Sequence, residues 1–200
     1  MIDHLPQQGR EPRPDTPPHA PRVSETTMKL YLASAIGRGS TELGAFDAAL
    51  LRAGVANLNL VRLSSVIPPG SDIVQVERCP FEQTGRWGDR LYAVYAEQRT
   101  TTPGEQVWAG VGWCQDRETG QGLFVEHHGD REQPVRDQIT ASLTDLQAIR
   151  GLDLGPIHKC VVGAMCVGTP TCALVICGYA TESWLTTTRH DGRACKPTRP

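Results

Sequence analysis

"LNLVRLSSVIPPGSDIV" (residues 58–74) is an apolar run that stops at two serines and continues into a proline pair. Its first half has the composition of a strand, and Pro68 and Pro69 cannot continue one. Serine is common in turns that end strands, because its hydroxyl hydrogen-bonds to nearby backbone groups. Ser64 and Ser65 therefore predict a turn, or a place where the chain reacts with itself.

Hydrophobic periodicity on the N-terminal side predicts a strand and a helix. Residues 29–37 have the pattern of a short strand. The following helix begins at Ser40 or Thr41, either of which can cap it, and ends at Gly54. Its predicted apolar stripe contains Leu43, Phe46, Leu50 and Leu51. The strand over 57–66 comes next.

The remainder of the chain predicts more strands than helices. We expect a strand over 89–99, a hairpin over 106–129, a helix over 134–150 and a last hairpin over 158–180. The apolar face of this helix contains Val135, Ile139, Leu143, Leu146 and Ile149. Paired strands with two amphipathic helices predict an α+β domain, in which the helices lie outside mainly antiparallel sheets.

Length, charge and composition indicate one ordinary domain with polar ends. The 200 residues carry a formal net charge of −2, which gives no electrostatic reason to expect a nucleic acid or a membrane as a partner. Six prolines in residues 1–27 predict a disordered tail. Residues 28–185 are the predicted domain and 186–200 a flexible tail. Met28 is a second candidate for the start of translation.

Cysteine usage and the absence of targeting signals predict a reduced, cytoplasmic protein. The chain has seven cysteines, no secretory signal pattern and no apolar run of transmembrane length. The cysteines of the last predicted hairpin lie five or six residues apart, unlike the close pairs of zinc sites. His127 and His128 have no metal-type neighbours in sequence, so we expect no metal. Gly110 and Gly112 lie within a strand, which does not predict a nucleotide site.

Three segments of the chain resemble the pyruvoyl-dependent arginine decarboxylases over about residues 30–184. They are "GAFDAALLRAGVANLNLVRLSSVIPPG" (44–70), "GLFVEHHG" (122–129) and the alanine-, valine- and cysteine-rich segment near the C-terminus. The resemblance implies a four-layer αββα sandwich and the conversion of L-arginine to agmatine and CO2. It also implies a homotrimer or hexamer of cleaved chains, with active sites between subunits.

The resemblance gives the serine pair a chemical role. Decarboxylation of an amino acid needs an electron sink, which ordinary side chains do not supply. In this family the hydroxyl of Ser65 attacks the carbonyl of Ser64 and converts the amide to an ester. Elimination and loss of ammonia then leave a pyruvoyl group on residue 65, and the chain is cut between 64 and 65. The substrate amine forms a Schiff base with that group. The simpler interpretation is a turn that ends a strand.

Glu126 in "GLFVEHHG" matches the catalytic acid of the family. A carboxylic acid in an apolar pocket keeps its proton at neutral pH, because desolvation disfavours the anion. The resemblance therefore implies that Glu126 returns a proton to the substrate after CO2 leaves. Without the resemblance, a solvated glutamate at a strand end would be the better interpretation.

By resemblance, Asp47 holds the guanidinium of the substrate and Leu43 forms an apolar wall of the substrate pocket. A carboxylate and a guanidinium match because two parallel hydrogen bonds join them. The alternatives for Asp47 are an ion pair with Arg52 or Arg62, or simple exposure at the edge of the helix. Leu43 could equally be an ordinary core residue.

Asn59 matches an asparagine that the family needs for cleavage, and its amide could bond to the attacked carbonyl or to the ester. Six residues of straight strand span roughly 20 Å. Asn59 can therefore reach Ser65 only if the chain folds back, or if it acts across a subunit boundary.

Two alternatives to the arginine decarboxylase remain open at this stage. One is a pyruvoyl enzyme that acts on another amino acid or on a guanidino metabolite. The other is an unprocessed homologue that keeps the serine pair but never cleaves, and serves as a binding subunit.

Overall fold

The computed structural model describes residues 27–184, so the predicted tails lie outside it except for Thr27. In chain order the elements are β1 (Met28–Arg38), α1 (Glu42–Ala53), β2 (Asn59–Arg62), β3 (Val66–Ile67), β4 (Ser71–Gln75), α2 (Phe81–Thr84), β5 (Arg90–Thr100), β6 (Gln106–Gln115), β7 (Gly122–Gly129), α3 (Glu132–Arg150), β8 (His158–Met165) and β9 (Thr171–Glu182). The sequence did not predict β4 or the single turn α2.

Two sheets and two long helices form four layers. The first sheet has the order β2-β5-β9-β1-β4, and the second has the order β3-β7-β6-β8. Most neighbours are antiparallel, although β1 pairs with β4 and β2 with β5 in parallel. One buried cluster lies between α1 and the first sheet, one between the sheets, and one between the second sheet and α3. The predicted αββα sandwich is therefore confirmed.

Helix α1 lies unusually close to the first sheet. Thr41 caps it by accepting a hydrogen bond from the Gly44 N–H at 3.0 Å. A Cβ on Gly37 of β1 would lie 2.0 Å from the Ala45 carbonyl oxygen, so only glycine permits this approach. The buried face is made mainly of alanines, with Leu50. The predicted stripe is wrong for Leu43 and Leu51, which are exposed, because small residues allow the tighter packing.

Helix α3 packs on the second sheet over two glycines of β6. A Cβ on Gly112 would lie 2.1 Å from the Cγ2 atom of Ile139, so the helix needs this glycine. The predicted face is correct at its first three positions, which are buried. It is wrong for Ile149, which is exposed. The apolar contacts of the helix with the sheet end at Leu146.

The last predicted hairpin is not a hairpin. β8 pairs with β6 in the second sheet, whereas β9 lies between β1 and β5 in the first. The segment between them crosses from one sheet to the other. The long apolar run of β9 reflects its central position, where both faces are buried. A sequence pattern of two apolar runs does not distinguish this arrangement from a hairpin.

The chain also crosses between the sheets at the serine pair. β2 ends at Arg62 on the edge of the first sheet, and β3 pairs with β7 on the edge of the second. The predicted continuous strand over 57–66 is therefore wrong, because it is two strands of different sheets. Ser64 and Ser65 form the end of the connection between them.

Candidate active site

Ser65 has an unfavourable backbone conformation that its neighbours hold in place. Its φ of 65° is the one positive φ of a non-glycine residue within 27–184, and such a conformation costs free energy. The Phe124 N–H donates to the Ser65 carbonyl at 2.8 Å. The hydroxyl of Tyr179 donates to the Val66 carbonyl at 3.0 Å. Burial raises the pKa of Tyr179, so the hydroxyl remains a donor.

The side chains of Ser65 and Glu126 are in direct contact. The Ser65 Oγ lies 2.7 Å from Oε1 and 2.9 Å from Oε2 of Glu126. Burial raises the pKa of Glu126, while the hydrogen bond from Ser65 and the charge of Arg62 oppose the rise. Glu126 shares its face of β7 with the buried Phe124, because side chains alternate along a strand. The serine hydroxyl therefore meets an acid whose pKa lies above its ordinary value.

These two residues open into a pocket of about 380 Å³ between β7 and α3. Its other polar side chains are His127, Ser142 and Asp145. His127 Nε2 lies 2.9 Å from the Ser142 Oγ. Burial lowers the pKa of His127, and the neighbouring His128 adds to this effect.

Sequence reasoning missed the contribution of α3 to the pocket. Ser142, Asp145 and Leu146 follow the spacing of a single helical face, so a signal was present. Nothing in the local pattern, however, shows that this face lies beside Glu126. Tyr179 was also missed, because its contact joins residues that are 113 positions apart.

Asp47 and Leu43 do not line this pocket. Asp47 is exposed, and Leu43 keeps 69% of its surface accessible. Within residues 27–184, no ion pair joins Asp47 to Arg52 or Arg62. Arg62 instead donates to the Tyr95 carbonyl at 2.8 Å and lies over the Tyr95 ring. In one copy of the chain, therefore, the predicted substrate residues lie apart from Ser65.

Asn59 is held by a different part of the fold. Its Nδ2 donates to the Gly88 carbonyl at 2.5 Å, and the Trp184 indole N–H donates to the same oxygen at 2.9 Å. Asn59 begins β2, while Ser65 follows the end of that strand. The structure thus places Asn59 near the turn at Gly88 and gives it no hydrogen bond to the serine pair.

The described part of the chain shows neither a metal cluster nor a membrane-spanning helix. Residues 27–184 contain no group of three or more histidine, cysteine or acidic side chains that could hold a metal ion. The six cysteines within this range are unpaired; Cys195 lies outside it. No described helix is long and apolar enough to cross a bilayer.

Comparison with known proteins places the chain in one family. Residues 29–184 match the family described as pyruvoyl-dependent arginine decarboxylase. A protein of that name from Halobacterium salinarum is 34% identical over 154 residues, which cover 76% of this chain and 93% of the relative. The one from Methanocaldococcus jannaschii is 30% identical over 152 residues, which cover 73% of this chain and 85% of the relative. The family match covers all but the first two described residues and includes Ser65 and Glu126, and the chain is therefore a member of the pyruvoyl-dependent arginine decarboxylase family.

Proposed function

We propose that this chain cuts itself between Ser64 and Ser65 and then converts L-arginine to agmatine and CO2. The contact between the Ser65 Oγ and the Glu126 carboxyl, at 2.7 Å, is the observation that carries the proposal. It joins the predicted source of the reactive group to the predicted proton donor across 61 positions of sequence.

Self-cleavage begins with attack of the Ser65 hydroxyl on the carbonyl carbon of Ser64. The amide is resonance-stabilised, so the attack needs a held geometry. The left-handed backbone of Ser65 and the bonds at its carbonyl and at Val66 support such a geometry. The products are a chain of residues 1–64 and a chain of residues 65–200 that begins with the pyruvoyl group.

The finished pyruvoyl group supplies an electron-withdrawing carbonyl to which the substrate amine can attach. Glu126 then holds the proton that replaces CO2 on the substrate carbon. Its raised pKa supports this role, because more of the acid remains protonated at neutral pH. The open pocket beside it leaves room for the substrate.

A substrate panel tests the proposed function. Cleaved enzyme should release CO2 from L-arginine much faster than from L-ornithine, L-lysine or the uncharged isostere L-citrulline. Intact mass spectrometry of the same sample should show both product chains. Cleaved chains with a preference for another amino acid would contradict the arginine assignment, and an intact chain after long incubation would contradict self-processing.

The substrate residues Asp47 and Leu43 come from a neighbouring copy in this proposal. Both lie on α1, on the outer side of the first sheet, and both are exposed in the single chain. Leu43 and Leu51 lie one helical turn on either side of Asp47 and expose 69% and 51% of their surface, so a neighbouring copy that covers this face would remove apolar area from water. We therefore propose a homotrimeric or hexameric assembly of cleaved chains, with Asp47 binding the guanidinium. We also propose that the enzyme works in the cytoplasm, where cysteines are kept reduced.

Subunit complementation tests this assembly. Ser65→Ala chains lack the reactive group, and Asp47→Asn chains lack the proposed guanidinium ligand. Mixed oligomers contain sites with an intact Ser65 from one chain and an intact Asp47 from the other. We expect co-expression to restore activity well above that of the two variants purified separately. Activity no higher than that of the separate variants would place Asp47 and Ser65 in the same chain.

Asn59 is proposed to act in cleavage across the same boundary. The Asn59 amide nitrogen carries two hydrogens, and its bond to the Gly88 carbonyl uses one of them, which leaves the second for another acceptor. The bond to Gly88 fixes the orientation of the Asn59 amide. A fixed orientation is what Asn59 would need in order to donate to the Ser64 carbonyl of a neighbouring copy.

A further inference from the structure

The carbonyl oxygen of Ser65 already has a rigid hydrogen-bond donor. The Phe124 N–H points at it from 2.8 Å and extends the pairing of β3 with β7 by one residue. Phe124 is buried, with 1% of its surface exposed. Since β7 pairs with β6 on its other edge, this N–H belongs to the interior of a sheet and does not move freely.

The next peptide group is fixed from the opposite side. The Val66 carbonyl points away from β7 and accepts from the buried Tyr179 hydroxyl at 3.0 Å. The Tyr179 ring packs edge-on against the ring of Phe124, with centroids 6.2 Å apart. The backbone on the C-terminal side of the cleaved bond is thus anchored at two successive carbonyls.

If the proposed self-processing is correct, its chemistry creates negative charge on the carbonyl oxygen of Ser65. After the ester forms, a solvent base in the open pocket removes the Cα proton of residue 65. That electron pair forms the Cα–Cβ double bond, the Cβ–O bond breaks, and Ser64 leaves as a carboxylate. Water then hydrolyses the new enamine to the ketone and ammonia. During proton removal the carbanion is conjugated with the residue 65 carbonyl.

We propose that the main-chain N–H of Phe124 is an oxyanion donor for the elimination at Ser65. A donor that is aimed in advance at an oxygen on which charge develops lowers the barrier, because it does not need to reorganise. The Ser64 carbonyl, which is attacked in the first step, is a different group. The donor therefore assists elimination and leaves ester formation almost unaffected.

The same oxygen remains next to the ketone in the finished group. The Phe124 N–H consequently keeps polarising the main-chain carbonyl of residue 65, which adjoins the ketone, during substrate turnover. One backbone donor would thus serve the reaction that makes the prosthetic group and the reaction that uses it.

A single-atom exchange tests the donor. Incorporating 3-phenyllactic acid at position 124 replaces the N–H with an ester oxygen and leaves the benzyl side chain unchanged. The same exchange at Phe46, in the middle of α1, is the matched control for loss of one backbone amide. We expect elimination to slow by about 10²-fold at position 124 and to remain near the wild-type rate at position 46.

Hydroxylamine separates the two steps without any activity assay. It cleaves the Ser64 ester and releases a fragment that begins with an ordinary Ser65, which mass spectrometry distinguishes from a fragment that begins with the pyruvoyl group. Hydroxylamine also cuts the engineered ester at position 124 or 46, so the readout is the identity of residue 65 at the start of the fragment. The position 124 variant should accumulate the ester between Ser64 and Ser65, seen as fragments that begin with an ordinary Ser65. Elimination at the wild-type rate, or equal slowing of both steps, would overturn the proposal.

Tyr179→Phe provides a second variant if the exchange prevents folding. It leaves the Phe124 N–H in place but frees the Val66 carbonyl, so the alignment of the donor should weaken. We expect a several-fold slower elimination with ester accumulation, and Tyr95→Phe on β5 is the control. No ester accumulation in Tyr179→Phe would count against the donor. A wild-type chain that forms no ester and never cleaves would instead refute self-processing itself.

Discussion

Replacement of Ser65 by alanine is expected to leave a single uncut chain of 21.8 kDa without arginine decarboxylation. The substitution removes the hydroxyl that attacks the Ser64 carbonyl, so neither the ester nor the reactive carbonyl can form. The loss should be complete, because no other described residue supplies this group. Intact mass spectrometry under denaturing conditions measures cleavage, and CO2 release measures turnover.

Ser64→Ala is the matched control. It removes the same hydroxyl group from the neighbouring residue but keeps both the attacked Ser64 carbonyl and the Ser65 hydroxyl. The side chain of Ser64 is exposed, so we expect Ser64→Ala to cleave. Full turnover by an uncut Ser65→Ala chain would exclude the pyruvoyl mechanism.

Replacement of Glu126 by glutamine should lower kcat by about 10²–10⁴-fold, the usual contribution of a positioned general acid. Glutamine has nearly the same shape and can still accept a hydrogen bond from Ser65, but it cannot give a proton to the substrate. Turnover must be expressed per cleaved chain, since a slow single cleavage still reaches completion during long incubation. The same exchange at Glu118, whose side chain is exposed in the turn between β6 and β7, is the matched control and should be almost silent.

The pH profile distinguishes a proton donor from a structural role. Because the protonated form acts, activity should persist below the pKa of Glu126 and decline as the pH rises through it. Arg62 lowers that pKa, so Arg62→Gln should shift the alkaline decline to higher pH, and Arg62→Lys should restore it. The proposed role of Glu126 would be contradicted by a Glu126→Gln variant with normal kcat. It would also be contradicted if the alkaline decline of activity stayed at the same pH in Arg62→Gln.

The sequence by itself determined the class of the fold and the chemistry. Periodicity correctly predicted β1, β5, the β6–β7 hairpin and both long helices, because it records burial that repeats along one local element. The serine pair, the proline stop and "GLFVEHHG" were specific enough to identify the family. Each of these signals is short-range and needs no knowledge of where the chain goes next.

The tertiary structure alone decided which elements meet. The run over 57–66 divides between two sheets, and β8 and β9 separate in the same way, because the choice of a strand's partner depends on non-local packing. Leu43 is exposed since alanines and Gly37 set the depth of α1. The contact of Ser65 with Glu126 depends on the pairing of β3 with β7. That pairing brings together two residues that no local pattern connects.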